Sequence, residues 1–355
     1  MFYDRLRDLE LTIEAVELDR YELDTSSDFT RVTTEISLMG TKRDGDSVVG
    51  KGEDVTYATD DHDALARSGL PDLTGTFTID SFSDHLDDVD CFPGAPPERS
   101  VFRNYRRWGL ESAALDLALR ANGTDLGTAL DRDLEPVRFV ASTGLGDPPS
   151  LDRVSAIRSL VPGLRFKLDP TPAWDESVCR SLVDLDVVRI LDYKGHYEGT
   201  EVENPGDPAL YRRLIEHFPE AVIEDPALTP ETRPQFEDSA VRERVSWDAP
   251  IHGLDDVEEL PWEPSWLNIK PSRFGSIESV LETIAFCLDR GIRLYGGGQF
   301  ELGVGRGQIQ LLASLYYSDG PNDVAPRLYN HPEIPETLPA SPLDPPASPV
   351  GFRWD

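Results

Sequence analysis

Alternating polar and apolar positions fill the first part of the chain. LTIEAVELDRYEL, FTRVTTEISLMG and DSVVGKGEDVTY, between residues 10 and 58, predict three antiparallel strands joined by polar turns. Residues 103–121, FRNYRRWGLESAALDLALR, carry the other periodicity. Trp108, Ala114, Leu115, Ala118 and Leu119 fall on one helical stripe, and Gly123 follows as a stop. This third of the chain is therefore α+β.

From about residue 137 the pattern changes. Short apolar runs (VRFVAST, LRFKLDP, VVRILDY, AVIEDP, RVSWDAP, WLNIKPS and IRLYGGG) are separated by amphipathic segments such as SLDRVSAIRSLV, PALYRRLIEHF, SIESVLETIAFCLDRG and GRGQIQLLASLYYS. The polar residues closing six of the runs are Lys167, Asp192, Glu224, Asp248, Lys270 and Tyr295, at intervals of 25, 32, 24, 22 and 25. A strand, a helix and two loops need about that length, so the pattern predicts a repeated βα unit. Seven such units imply a barrel. An open doubly wound sheet is the alternative, but no GxGxxG or GxxxxGK[ST] follows an early strand. The expected fold is α/β: a modified TIM barrel, (β/α)7β, over residues 131–326, with an α+β capping domain over 1–130. The proline-rich tail, 327–355, cannot form a long helix. Its aromatic end, Phe352 and Trp354, suggests packing back on the body, with disorder as the alternative.

Charge changes this picture in one direction. Asp and Glu number 66 against 34 Lys and Arg, a net charge of −32 over 355 residues. Such a polyanion repels nucleic acid and anionic lipid, so neither is an expected partner. Only five of the 34 basic residues are lysines (Lys42, Lys51, Lys167, Lys194 and Lys270). An acidic, lysine-poor surface suits a high-salt cytoplasm, where screening weakens carboxylate repulsion. Cys91, Cys179 and Cys287 are far apart and form no metal knuckle or disulfide framework. With no long apolar run and no signal-peptide core, a soluble cytoplasmic protein is expected.

In a parallel barrel, polar residues at strand C-termini converge on one axis. Taken singly, each of these acidic residues reads as a helix N-cap or a solvated end. Five in the order Lys167–Asp192–Glu224–Asp248–Lys270 are harder to read that way. Three carboxylates on successive strands repel one another unless a cation lies between them, and an all-oxygen set favours Mg²⁺ over Zn²⁺. The lysines on either side would then face a metal-bound substrate as an acid/base pair.

The ordered motifs resemble the enolase superfamily, and within it the muconate-lactonizing-enzyme subgroup of muconate cycloisomerases and o-succinylbenzoate synthases. GKGE (50–53) resembles the cap-domain turn, GLESAALDLALRANG the helix before the barrel, and RFK (165–167) the KxK motif with arginine first. LDYK, IEDP and SWDAP place Asp192, Glu224 and Asp248 on the family's metal ligands. NIKPSRFGS places Lys270 on the sixth-strand lysine, and GGGQFELGVGRG places Glu301 near the substrate. The resemblance implies Mg²⁺-dependent abstraction of a proton α to a carboxylate in a small substrate. Catalysis would end in cycloisomerisation, syn-elimination or epimerisation, with Lys167 and Lys270 as the acid and base. Arg165, two residues from Lys167, would supply the second cation that lowers an amine's pKa. An acid-sugar dehydratase of the same superfamily, or a metal-binding barrel without turnover, are the alternatives. The sequence leaves the oligomeric state open; barrels of this kind often assemble, so a homo-oligomer is a possible partner by analogy alone.

Departures from the family are specific. Where members commonly read DxN, this chain has Asp192-Tyr193-Lys194. Lys194 could hold a substrate anion, supply a proton, or bridge to a ligand carboxylate. HYEGTEVENPGDP (196–208) enlarges the following loop and carries His196, which reads as solvated or as a leaving-group acid. IRLYGGG has no histidine, so a mandelate-racemase-type His–Asp dyad is not expected. GVGRG reads as a tight turn into a helix rather than a phosphate cradle, and Trp108, Trp247 and Trp266 read as packing residues. Asp225 is not expected to be a direct ligand, because neighbouring strand residues face opposite ways.

Overall fold

Polar/apolar alternation produces strands in the N-terminal part of the computed structural model, which describes residues 1–42, 45–197, 204 and 206–354. They are β1 (Glu10–Ile13), β2 (Ala15–Asp24), β3 (Thr30–Thr41) and β4 (Ser47–Asp54), with β5 (Gly75–Thr78) following a short helix. β2, β3 and β4 form the expected antiparallel sheet. The first apolar run divides at Glu14, however, and β1 leaves that sheet to pair with β5. GTFT of β5 is too short to announce itself as a strand in the sequence.

The long helix Phe102–Ala121 lies on this sheet at backbone contact. A Cβ on Gly50 would sit 2.3 Å from the Ala113 carbonyl oxygen, and one on Gly52 only 2.0 Å from that of Gly109. The GKGE glycines are therefore required by strand–helix approach. The chain's C-terminal segment packs against the same helix. Phe352 is fully buried, edge-on to Trp108 at 6.2 Å, and its N–H donates to Asp116.

All seven apolar runs of the second part form parallel strands: β6 (Val140–Gly144), β7 (Arg165–Asp169), β8 (Val188–Asp192), β9 (Val222–Glu224), β10 (Val245–Trp247), β11 (Trp266–Ile269) and β12 (Arg293–Gly296). They pair in sequence order, with helices between. A single short segment closes the curve. Asn322 pairs with Phe139 and Asp323 with Gly297, both in parallel sense, while Asn322 Oδ1 accepts the Gly296 N–H at 2.7 Å. This is the (β/α)7β arrangement, its eighth strand reduced to two residues. Among the described residues no helix is long and apolar enough to cross a membrane.

Side chains alternate in and out along each strand. Val140, Ile190, Val222, Trp266 and Tyr295, one from each of five strands, form an apolar cluster separate from the main core. That cluster fills the barrel interior. Two residues further along β8, β9 and β11, the same face presents Asp192, Glu224 and Asn268. Charge is thus stacked directly on an apolar floor, away from bulk water.

Candidate active site

The interior layer above the floor brings five of the expected residues together. Lys167 Nζ lies 3.2 Å from Asp192 Oδ2, forms a short contact with Glu224 Oε1, and lies 3.5 Å from Asp323 Oδ2. Lys270 Nζ donates to Asp248 Oδ2 at 2.8 Å. All five are buried. In strand order the two lysines stand on either side of the carboxylate row. Gly297, beside Lys270, leaves room for it, since a Cβ there would sit 2.7 Å from Lys270 Cε.

Burial opposes ionisation of Asp192, but Lys167 and Lys194 outweigh it and hold the carboxyl well below the usual carboxylate range. Asp248 is depressed too, burial being overcome by Arg273 and Lys270. Glu224 goes the other way, pushed up to about 8 by burial despite Lys167. Burial disfavours the Lys167 ammonium, yet Asp192 and Glu224 raise its pKa well above the ordinary value. Lys270 is also raised, Asp248 overcoming burial. In this arrangement both amines are ammonium ions.

Arg165 does not belong to the cluster. Its guanidinium pairs with the Asp186 carboxylate and donates to the Asp186 carbonyl at 2.7 Å, at the opposite end of the barrel. Two residues along a strand span about 6.6 Å, enough to put an arginine at the entrance of β7 into solvent while Lys167 points into the barrel. The second cation expected beside Lys167 is therefore not Arg165. Lys194 Nζ lies 2.7 Å from Asp192 Oδ2 and 3.5 Å from Asp169 Oδ2, as a bridge to a carboxylate of the row. Glu301 is buried, paired with Arg306 at 2.9 Å and accepting the Gln299 N–H at 2.6 Å. Those contacts brace the loop after β12.

Residue-by-residue reading of the sequence missed several groups. Arg273 Nη2 reaches Asp248 Oδ2 at 3.2 Å and the Tyr197 hydroxyl at 2.9 Å, and Tyr197 donates to the same carboxylate at 3.0 Å. Tyr295, read only as a strand end, donates its hydroxyl to Glu224, and its oxygen lies 2.9 Å from the Ser246 hydroxyl. The position of Arg273, three residues after Lys270 at the start of a helix, is the one signal that could have found it. Asp225 accepts the N–H groups of Asp248 and Ala249, both at 2.8 Å, and so ties β9 to β10 without facing the site. His196 stacks edge-on to Trp247 at 5.5 Å; residues 198–203 and 205 of its loop lie outside those described. The amides of GVGRG turn toward a protein carboxylate: Glu53 accepts N–H bonds from Leu302, Gly303 and Gly305.

A divalent cation can be tested against these positions. The donor chemistry fits, since Asp192, Glu224 and Asp248 offer only oxygens and the buried Asp248 Oδ1 has no hydrogen-bond partner among the described residues. The spacing differs from expectation. Among the described residues no three His, Cys, Asp or Glu side chains converge closely enough to hold a metal; the lysine ammonium groups stand against the carboxylates instead.

Comparison with known proteins agrees with this architecture. The o-succinylbenzoate synthase of Geobacillus stearothermophilus is 26% identical over 232 residues, 62% of this chain and 59% of that protein. An N-succinylamino acid racemase of an Amycolatopsis species is 28% identical over 249 residues, 64% and 63% of the two chains. The chain thus spans about three fifths of the length of these relatives. Among solved structures, an enolase-superfamily member from Listeria innocua superposes with a TM-score of 0.67 at 18% identity, covering 91% of this chain and 88% of that one. A dipeptide epimerase from Methylococcus capsulatus, complexed with Mg ion, gives 0.63 at 20% identity, covering 86% and 88%. The fold is that of the enolase superfamily. Two family profiles, described as the N-terminal and C-terminal domains of a domain of unknown function (DUF8230), match residues 4–129 and 133–331. The chain therefore belongs to the DUF8230 family, built on the enolase-superfamily fold.

Proposed function

We propose that this chain is an enzyme that removes the proton α to a carboxylate in a small acid. The observation that carries this reading is the pair of buried amines, Lys167 and Lys270, flanking one row of carboxylates. Lys167 can take a proton only when its ammonium is no longer neutralised by Asp192 and Glu224; Lys270 stands in the same relation to Asp248. Asp192, Glu224 and Asp248 are the residues that would hold Mg²⁺. When bound, that ion supplies electrostatic stabilisation of the charge developing on the substrate carboxylate. The apolar floor and buried lysines keep water from the reacting carbon. The names of the relatives support elimination of the o-succinylbenzoate synthase kind, or racemisation at carbon, with cycloisomerisation as the third outcome of the same first step.

The test is incorporation of deuterium from D₂O into a library of carboxylic acids, with and without Mg²⁺. Label should enter α to the carboxylate in the wild type and be lost in Lys167→Met and Lys270→Met. A barrel that binds without turnover would incorporate none, and full activity in both variants would remove the assignment of the lysines.

A further inference from the structure

The end of the barrel opposite the carboxylate row carries a cluster that the proposed chemistry does not use. Arg165 and Arg293 open β7 and β12, two residues before Lys167 and Tyr295 and so on the same strand faces. Arg189 joins them through a bulge. Phe166 pairs with Val188 and Lys167 with Ile190, which leaves Arg189 as an extra residue in the ladder. Arg189 and Arg293 both lie over the ring of Trp266, part of the barrel floor, at 5.7 and 4.2 Å from its centroid. Their hydrogen bonds go to backbone carbonyls: Arg189 to Glu220 at 3.0 Å, Arg293 to Glu243 at 3.1 Å and to Ser265 at 3.4 Å. Among the described residues neither forms an ion pair with a carboxylate, whereas Arg165 pairs with Asp186. Burial, and next the charges of Arg293 and Arg165, lower the Arg189 pKa, with Glu220 opposing them. In a chain of net charge −32, two guanidinium groups on one ring without an acidic partner run against the composition.

We infer that this mouth of the barrel binds a phosphate-class dianion through the guanidinium groups of Arg189 and Arg293 beside Trp266. Two positive charges match a doubly charged ion, and each planar fork presents parallel N–H donors to its oxygens. The inference goes beyond the proposed reaction and does not depend on it. That face of a barrel ordinarily serves stability, so the test has to read binding itself.

Equilibrium dialysis of the full chain against inorganic phosphate, with KCl holding the ionic strength constant, does so. One phosphate per chain should bind saturably, and singly charged acetate about tenfold more weakly or worse. Arg189→Gln and Arg293→Gln should each weaken phosphate binding by about tenfold or more, as loss of a charge-assisted bond does. Arg180→Gln removes the same charge from an exposed helix, where Arg180 pairs with Glu176, and should leave binding unchanged. Thermal melts without phosphate establish that the variants fold. Arg293→Lys keeps the charge without the fork, and should bind with intermediate affinity. Glycerol phosphate, compared with the free ion, distinguishes the phosphoryl end of a metabolite from phosphate itself, and saturable binding of either supports the site. Absence of saturable binding by the wild type would overturn the inference and leave the arginines as packing on Trp266. Equal weakening in Arg180→Gln would overturn it as well, because affinity would then follow net charge alone.

Discussion

Glu53 Oε2 accepts the backbone N–H of Gly305 at 2.8 Å, joining the end of the N-terminal sheet to the start of the helix after β12. With Oε1 on the amides of Leu302 and Gly303, one carboxylate fixes the loop that also carries Glu301. Glu53→Ala would leave buried N–H groups without acceptors, at a cost of about 3 kcal/mol. Hydrogen exchange should show lost protection at Leu302, Gly303 and Gly305 ahead of the rest of the chain. Unchanged exchange at those amides would show that the carboxylate is not the latch.

His62 links stability to pH. It is buried, with Nδ1 2.8 Å from the Thr34 hydroxyl and Nε2 2.8 Å from the Thr56 carbonyl, and burial lowers its pKa from 6.5. The neutral ring is favoured in the folded state, so its contribution is complete above the unfolded value. It is lost as pH falls through 6.5 toward the folded value. Urea midpoints at about pH 7.5 and about pH 5.5 should therefore differ less in His62→Gln than in the wild type. Equal differences would place the acid sensitivity elsewhere.

Phe352 anchors the tail. Asp116 receives its N–H at 2.8 Å and also binds Arg353, whose guanidinium reaches the Val49 carbonyl at 2.8 Å. Phe352→Ala removes a fully buried ring from the face of Trp108 and should cost about 3–5 kcal/mol. A thermal midpoint within a degree or so of the wild type would mean the tail adds little to the fold.

Salt should matter more than for an ordinary domain. With a net charge of −32, raising KCl from about 0.1 M to about 1 M shortens the screening length from about 10 Å to about 3 Å and relieves carboxylate repulsion. The thermal midpoint should rise over that range. A flat or falling profile would contradict the high-salt reading of the composition.

The sequence by itself determined the seven parallel strands, the long helix and the positions of Lys167, Asp192, Glu224, Asp248 and Lys270, because periodicity and strand-end polarity are local properties. Lys194 was visible as a departure for the same reason. Tertiary structure decided what no local pattern contains. β1 left its neighbour to pair with β5, and the barrel closed through Asn322 and Asp323, because both depend on which edges meet in space. Arg165 and Lys167 share a strand and a face by number, yet one turned toward solvent and the other toward three acids, because depth along the barrel axis sets each charge's surroundings. Arg273, Tyr197 and Tyr295 became partners of the carboxylates only once distant strand ends converged.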